Sequence, residues 1–513
     1  MLFNSYEFLF HFLPPTLIGF FTLGALGRPR AALFWLLGAS VYFYLSWRLE
    51  DLWILLASIA FNYALSALLI NSSFSAGWRK ALLVIGIVGN LAALGYFKYS
   101  AFFVQNVGSL LGAEWSAPTL ILPLGISFYT FQQIAFLVEA WRGDFRESSL
   151  PRYCTVVTFF PHLIAGPIIN YRAIIEQFRG PDFGRPRENM IAVGLTIFVV
   201  GMAKKVLLAD SIAPQADYVF NAAAAGSNVS ILEAWTGALA YTLQLYFDFS
   251  GYSDMAIGLA LILGMRLPLN FNSPYKASNI ADFWRRWHMT LSQFLRDYLY
   301  IPLGGNRCGP FRRHANLMAT MVLGGLWHGA GWTFVIWGAL HGFFLVVCHA
   351  WGTYLGAAHG RGVRKFPDFN RVSARALTLL CVIVAWVFFR ATSLESALVI
   401  CKAMFGFNGL ELPQTLDGTL LASLASSIGI ETLSQELIPR RRAIALIACL
   451  LGLALFAPNT QEWVGYDPAG RVMGRPWMHR LSMHPAHALA VGCLFFFLLT
   501  QLSAMSVFLY FQF

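Results

Sequence analysis

Long apolar segments recur along the whole chain, and they constrain its fold more than any other feature. A helix that crosses a bilayer needs about 20 mostly apolar residues. The segments that approach this length and composition lie at residues 6–26, 31–48, 52–70, 81–100, 119–140, 190–209, 231–249, 252–265, 316–350 (one long helix or two short ones), 374–390, 415–430, 442–457 and 485–507. A few are short enough to be re-entrant or interfacial. The pattern therefore predicts an all-α polytopic membrane protein with about eleven transmembrane helices.

The composition supports a membrane protein and argues against several soluble classes. Only 12% of the residues are charged and 57% are hydrophobic, whereas soluble domains carry about 25% charged residues. The net charge is +11, but Lys and Arg lie mostly in short stretches between apolar segments, as membrane topology requires. We therefore expect contact with lipid and no nucleic-acid partner. The seven cysteines are scattered without a CxxC pair, which favours buried apolar side chains over disulfides or a metal site.

The distribution of basic residues predicts the orientation of the chain. Residues 1–21 are apolar but lack a basic leader and a small-residue cleavage site, so we interpret them as a retained first membrane segment. Basic residues follow the first, third and fifth spans, namely Arg28, Arg30, Arg79, Lys80, Arg142, Arg146 and Arg152, whereas residues 101–118 contain only Glu114 as a charged side chain. Because cytoplasmic loops carry the excess of Lys and Arg, the N-terminus is expected outside the cell membrane, on the periplasmic side.

Two regions interrupt the succession of plain spans. Residues 153–170 are apolar but too short to cross, and Pro161 and Pro167 break them. Irregular backbone at membrane depth is tolerated only where it is buried in protein or lines a cavity. The second region, residues 266–315, is long, polar and aromatic.

A histidine lies inside an otherwise apolar stretch, in the sequence Gly-Gly-Leu-Trp-His328-Gly-Ala-Gly-Trp. Ionisable residues at membrane depth are functional candidates by default, and histidine is the usual proton acceptor near neutral pH. A structural histidine bonded to a neighbouring helix is the alternative. His341 follows thirteen residues later, and on one continuous helix it would lie about 220° around the axis from His328. A break at Gly329 and Gly331 would change this orientation. We therefore rank His341 below His328.

Residues 282–302 predict an interfacial amphipathic helix. Phe283, Trp287 and further apolar residues fall on one face, whereas Arg285, Arg286 and Arg296 fall on the other. Asp282 could cap the N-terminus of this helix. The basic face could anchor the chain at the membrane surface, or it could meet an anionic ligand such as a nucleotide-bearing acyl donor, since Arg suits phosphate recognition. His288 could line a channel or pack.

Two acidic residues, Asp248 and Asp254, lie six positions apart between apolar segments. No His/Asp cluster at ligand spacing accompanies them, so we expect no metal site. They should pair with a buried Lys or Arg, or cap a helix. Lys204 and Lys205 end an apolar segment, where cations offset a helix dipole, and no catalytic role is assigned to them. No GxxxxGK, GxSxG or HExxH motif occurs, which argues against an ATPase, a serine hydrolase and a zinc protease.

Five motifs together resemble the membrane-bound O-acyltransferases. They are Phe-Pro-His-Leu-Ile-Ala-Gly-Pro at 160–167, Asp-Phe-Ser-Gly-Tyr-Ser-Asp at 248–254, Phe-Trp-Arg-Arg-Trp-His at 283–288, Tyr-Leu-Tyr-Ile-Pro-Leu-Gly-Gly at 298–305 and Leu-Trp-His-Gly-Ala at 326–330. The resemblance is greatest to the branch that contains the membrane subunit for alginate O-acetylation and its relatives for cellulose and other glycans. It extends from residue 1 to about residue 350, so residues 1–350 are predicted to form the membrane core. Residues 351–513 are predicted to add C-terminal helices and loops to the same domain.

The resemblance implies a fold and a reaction. It implies many helices around a central tunnel with re-entrant segments, His328 as the catalytic histidine and His288 as a second, tunnel-lining histidine. It also implies an acetyl donor on the cytoplasmic side, acetyl-CoA by expectation, with no permanently bound cofactor. A separate periplasmic acetyltransferase would receive the group and modify an extracellular polysaccharide. These features imply the inner membrane of a bacterium. Position 282 is Asp where several relatives have Asn or Glu, and we assign it no catalytic role.

Three other functions remain open from the sequence. D-alanyl transfer to teichoic acid shares the Trp-His motifs but uses a carrier-protein donor, and the extended C-terminal region favours the glycan branch. A transporter or flippase would also contain broken helices and a buried histidine, but it would leave a thioester intact. A lipid acyltransferase of the same superfamily matches the motifs less closely.

Overall fold

The computed structural model is built almost entirely of helices. It describes residues 1–513 except 72–73, 114, 117, 119, 145–148, 165, 170, 360–367, 409–410, 413–430, 433–439, 468–484, 503–507 and 510–513. In the described part, the β-structure is one pair of parallel two-residue strands, Glu411–Leu412 with Glu431–Thr432. Over the described residues, the prediction of an all-helical chain is confirmed apart from this pair.

Six described helices are long and apolar enough to cross a membrane. They are Glu7–Ala25, Leu49–Ile70, Ala76–Leu111, Glu188–Ala224, Trp332–Tyr354 and Arg371–Arg390. Two shorter apolar helices are Arg442–Phe456 and Pro485–Gln501. The count of about eleven spans stays a prediction, and the segment proposed at 415–430 lies outside the described residues.

The chain divides into two compact units, each assembled from separate stretches of sequence. The first contains residues 1–203, 250–270 and 459–512, and the second contains residues 204–249, 271–458 and 513. The helix Ile231–Ile262 contributes to both units, and it is one helix where the sequence predicted two segments at 231–249 and 252–265. The predicted division at residue 350 stays a prediction.

The first unit is formed by the N-terminal helices and parts of two later stretches. Its elements in chain order are Glu7–Phe12 (π-helical), Leu13–Ala25, Pro29–Leu45, Leu49–Ile70, Ala76–Leu94, Gly95–Tyr99 (π-helical), Ser100–Leu111, Ile126–Arg142, Leu150–Thr158, Tyr171–Phe178, Glu188–Ala203, the end of Ile231–Ile262, Thr460–Val464 and Pro485–Gln501. The segment predicted at 119–140 is helical only from Ile126.

The interrupted region after residue 153 is irregular and buried in the first unit. The helix Leu150–Thr158 ends before Pro161, and His162 is fully buried. The His162 ring is held by Gln132 at 3.0 Å from Nδ1 and by the carbonyl of Val156 at 3.0 Å from Nε2. This confirms that the broken backbone here is enclosed by protein, where its polar groups find partners.

The second unit contains the polar, aromatic region of the sequence. Its elements are Lys204–Ala209 (π-helical), Asp210–Ala224, the start of Ile231–Ile262, Pro274–Lys276 (3-10), Ile280–Trp284, Met289–Leu295, Arg296–Tyr300 (π-helical), Pro310–His328, Trp332–His359, Asp368–Arg390, Leu394–Met404, the two short strands and Arg440–Phe456. Lys204 and Lys205 do not end a helix as predicted, because the chain continues through a π-helical turn into Asp210–Ala224.

The apolar stretch at 316–350 forms two antiparallel helices, Pro310–His328 and Trp332–His359, which we call the hairpin. They separate at Gly329, which is extended (φ −159°, ψ 149°). Glycines allow the two helices to approach closely: a Cβ at Gly325 or Gly338 would collide with the backbone of the opposite helix. The hairpin replaces the single helix for which His328 and His341 would have faced opposite ways.

Candidate active site

The segment that carries His288 is a broken helix, so the continuous amphipathic helix predicted over 282–302 is wrong. The first piece, Ile280–Trp284, is capped by Asn279, whose side chain accepts a hydrogen bond from the backbone of Asp282 at 2.8 Å. Asp282 is therefore not the N-cap, and its carboxylate instead accepts from Arg286 at 2.9 Å. A second helix begins at Met289.

The break is centred on His288, whose backbone lies in the left-handed region (φ 40°, ψ 54°). Among the described residues that are not glycine, Ser273 is the other one with a positive φ. Such a conformation costs of order 1–3 kcal/mol and persists only where the surroundings impose it. Because residues held in this way cluster at functional sites, the backbone supports His288 as a site residue.

The His288 side chain lies in an apolar enclosure. It is completely buried, and the Phe249 ring meets it edge-on with ring centres 4.9 Å apart. His288 lies outside the apolar helices that are long enough to cross a membrane. Its burial lowers the pKa of the imidazole to about 3, because desolvation disfavours the charged ring. His288 is therefore neutral at physiological pH.

His328 is the last residue of the helix Pro310–His328 and lies in the same cluster as His288. The two imidazole ring centres are 6.4 Å apart, and His328 is 4% exposed. Trp327 contacts both histidines, with its ring centre 4.9 Å from His328 and 6.3 Å from His288. The structure thus brings together the two histidines that the sequence singled out, although they are separated by forty positions in the chain.

An aromatic wall surrounds His328 on the side of the helix Asp368–Arg390. Trp337 and Phe389 meet the His328 ring edge-on at 5.1 and 5.2 Å, and Trp386 stacks on Trp337 at 5.6 Å. Arg390, next to Phe389, is fixed by an ion pair to Asp217 at 2.8 Å. Packed aromatic rings exclude water from a reacting centre. Sequence reasoning missed Trp386 and Phe389, because they lie on a helix that carries none of the motifs.

Trp327 and Trp332 lie on either side of His328 in the sequence, and the structure places them in different surroundings. Trp327 is buried and packs against the histidines, whereas Trp332 is 57% exposed, as an interface residue would be. His341 is completely buried and its ring centre lies 4.9 Å from that of Trp337. Since Trp337 also contacts His328, the hairpin brings His341 into the same cluster, and its rank below His328 stays a prediction.

A buried ion-pair network includes Asp248, the chain neighbour of Phe249 on the helix Ile231–Ile262. The Lys205 ammonium is 2.9 Å from Asp248 and 2.6 Å from Asp210. This confirms that Asp248 pairs with a buried cation, and it makes Lys205 a partner that the sequence did not identify. In the first unit, the Asp254 carboxylate accepts hydrogen bonds from the Thr460 hydroxyl and the Gln461 side-chain amide. The N-cap of the helix Thr460–Val464 is Asn459, so Asp254 does not cap this helix.

The three arginines predicted to bind an anionic donor differ in their surroundings. Arg285 is exposed, Arg286 forms an ion pair with Asp282, and Arg296 is paired with Asp297 at 2.7 Å.

In the part of the chain that the structure describes, no group of three or more His, Cys, Asp or Glu side chains could hold a metal. The seven cysteines are free thiols.

Comparison with known proteins decides the family. The model of the membrane-bound O-acyltransferase family matches residues 142–359. A peptidoglycan O-acetyltransferase of Helicobacter pylori is 42% identical over 80% of this chain and 81% of its own length. A probable alginate O-acetylase of Pseudomonas aeruginosa is 38% identical over the full length of both chains.

The chain belongs to the membrane-bound O-acyltransferase family. It is therefore an acyltransferase and a multi-pass membrane protein, which sets aside the transporter interpretation. The matched region of this O-acyltransferase contains the motif segments at 160–167, 248–254 and 283–305 and the hairpin histidines. A teichoic acid D-alanyltransferase of Bacillus subtilis is 30% identical, but over only 45% of this chain and 59% of its own length.

Proposed function

We propose that this protein transfers acetyl groups across a bacterial inner membrane for the O-acetylation of an extracellular polysaccharide. The observation that carries the proposal is the buried pair of His288 and His328, with ring centres 6.4 Å apart inside the region that matches the acyltransferase family. The relatives named as alginate O-acetylase and peptidoglycan O-acetyltransferase, which align over most of the chain, support a glycan as the final acceptor.

The chemistry assigned to His328 is proton transfer during acyl transfer. The imidazole removes the proton from an acceptor hydroxyl, whose oxygen then attacks the thioester carbonyl carbon. The new C–O bond forms as the C–S bond breaks, and the imidazole returns the proton to the leaving thiolate. Alternatively, His328 itself carries the acetyl group between donor and acceptor. The neutral ring of His288 would donate or accept a hydrogen bond beside the reacting group.

The donor we propose is acetyl-CoA, bound from the cytoplasmic side as a substrate. Its phosphates suit guanidinium groups, and Arg285 is the exposed member of the predicted set. Arg286 and Arg296 would have to exchange their carboxylate partners for a phosphate. A separate periplasmic acetyltransferase would collect the acetyl group, the N-terminus would be periplasmic, and about eleven spans would surround a central tunnel. Neither substrate would then have to cross the bilayer.

The decisive experiment compares purified wild type with His328→Ala. Both proteins, in detergent, are incubated with radiolabelled acetyl-CoA, with and without candidate periplasmic acceptor proteins. His11→Ala is the matched control, because His11 is an exposed histidine remote in sequence from the motifs. We expect turnover in the wild type and the control. We expect a loss of at least about a hundredfold in His328→Ala, the usual contribution of a general acid–base group.

Two other results would redirect the proposal, and a third would decide the route of acyl transfer. Turnover that survives in a folded His328→Ala protein would remove the catalytic role of this residue. If the wild type does not turn over acetyl-CoA but accepts a D-alanyl group from a carrier protein, the donor assignment fails and D-alanyl transfer takes its place. Radiolabel that remains bound to the wild-type protein after denaturation, and is absent in His328→Ala, would identify the acyl-histidine route.

A further inference from the structure

His341 has a polar contact that distinguishes it from a packing residue. The indole Nε1–H of Trp284 donates a hydrogen bond to Nδ1 of His341, with 3.3 Å between the nitrogens. Both side chains are buried, with His341 at 0% and Trp284 at 8% exposure. An indole nitrogen can only donate, so Nδ1 must be the unprotonated nitrogen of a neutral imidazole. The contact therefore defines the tautomer, and protonation of the ring would break the bond.

This hydrogen bond joins the two parts of the chain that carry the candidate catalytic histidines. Trp284 ends the helix Ile280–Trp284, four positions before His288, and His341 lies on the second helix of the hairpin. The backbone between Trp284 and His288 contains the break and the left-handed conformation of His288. The position of His288 thus depends on what fixes Trp284.

The same contact continues towards His328 through an aromatic ring. Trp337 is edge-on to Trp284 at 5.8 Å and to His341 at 4.9 Å, and it meets His328 at 5.1 Å. The rings of Phe283, Phe344 and Trp386 also lie beside His341. Ring packing tolerates sliding, whereas the hydrogen bond between Trp284 and His341 is directional. This bond therefore fixes the position of the Trp284–His288 segment relative to the hairpin.

We propose that His341 is a positioning residue of the acyl-transfer site. By accepting the Trp284 hydrogen bond at Nδ1, it holds the segment of His288 against the hairpin that carries His328. The inference rests on the proposed function for its activity readout. It assigns His341 no proton transfer, so the pH dependence of turnover should not change when His341 is replaced by a residue that keeps the bond.

Three substitutions at His341 separate its two nitrogens. In His341→Asn the amide oxygen can occupy the position of Nδ1 and accept from Trp284. In His341→Gln the polar group lies near the position of Nε2, which has no hydrogen-bond partner among the described residues. His341→Phe keeps the ring and loses both nitrogens. Trp284→Phe removes the donor, and His349→Asn, on the same helix and only partly buried, is the matched control.

We expect His341→Asn and His349→Asn to keep kcat within about threefold of the wild type. His341→Gln, His341→Phe and Trp284→Phe should lose about 10- to 100-fold in kcat, because small displacements of catalytic groups have effects of this size. The KM for acetyl-CoA should change little. The double variant Trp284→Phe/His341→Phe should be no slower than either single variant, since both remove one bond.

The opposite pattern would overturn the proposal. Retention of activity in His341→Gln with loss in His341→Asn would assign the role to Nε2, and additive losses in the double variant would show that the two residues act separately. A second readout does not need acetyl transfer. In thermal unfolding in detergent, the effects of Trp284→Phe and His341→Phe, each measured against the wild type, must also be non-additive in the double variant. If the wild type shows no acetyl-CoA turnover, the proposed function fails, whereas additive unfolding shifts would refute the Trp284–His341 bond itself.

Discussion

Replacing Lys205 with methionine should destabilise the protein strongly while leaving its shape nearly unchanged. The ammonium lies 2.9 Å from Asp248 and 2.6 Å from Asp210, and Lys205 and Asp248 are 4% and 1% exposed at their side chains. At an effective dielectric constant of about 20, a pair at this separation attracts by roughly 6 kcal/mol. Desolvation offsets much of this attraction, and removing one partner of a buried pair costs about 3–5 kcal/mol in practice. We expect a loss in that range.

The expected loss arises from the uncompensated carboxylate of Asp248, so a second substitution should restore stability. Asp210 retains more contact with solvent, since its side chain is 16% exposed. The double variant Lys205→Met/Asp248→Asn should therefore recover most of the lost free energy. Lys204→Met is the control, because Lys204 is the adjacent lysine but is only partly buried, and we expect less than about 1 kcal/mol there.

The assay is equilibrium unfolding in mixed micelles of detergent and SDS, followed by tryptophan fluorescence. A Lys205→Met protein within about 1 kcal/mol of the wild type would refute the reasoning, since it would place the pair in the weak, solvent-screened class. A double variant that is no better than the single one would show that Asp248 is not the source of the cost. Because Phe249, the neighbour of Asp248, meets the His288 ring at 4.9 Å, Lys205→Met should also reduce acetyl turnover.

Three further predictions concern the site and its supports. His288 has a pKa of about 3 in the native state and about 6.5 when unfolded, so only the unfolded chain binds this proton at intermediate pH. As pH falls from 6.5 towards 3, protonation of this group in the unfolded chain should therefore lower the free energy of unfolding by up to about 1.4 kcal/mol per pH unit. His288→Asn, which tolerates the left-handed backbone, should lose this pH dependence when unfolding is measured at pH 7 and pH 5. An unchanged pH dependence in the variant would contradict the prediction. Gly325→Ala should cost about 1–3 kcal/mol in unfolding, because its Cβ meets backbone across the hairpin, and an unaffected variant would disprove this close approach. Arg285→Ala should raise the KM for acetyl-CoA by about 3- to 10-fold, and more than Arg296→Ala, whose guanidinium already has a carboxylate partner; equal effects would refute the ranking.

The length and apolar composition of a segment were informative where the whole segment is apolar. The helices Leu49–Ile70 and Arg371–Arg390 lie close to the predicted spans, because an apolar segment of that length has few other stable conformations in lipid. Periodicity failed over 282–302. There the backbone breaks at His288, and burial of Trp284 and Trp287 overrides the amphipathic pattern that one continuous helix would satisfy.

By itself, the sequence determined that the chain is helical and membrane-embedded, that it belongs to an acyltransferase family, and that His328 and His288 are the candidates for chemistry. These features follow from local composition and from motif order, and both can be determined without knowledge of distant contacts. Only the tertiary structure decided which side chains surround the histidines. The hairpin at Gly329 returns His341 to the cluster of His328, the helix Asp368–Arg390 supplies Trp386 and Phe389, and Lys205 neutralises Asp248. Each of these contacts joins residues that are distant in sequence, and such pairing depends on how helices pack, which no local pattern of residues encodes.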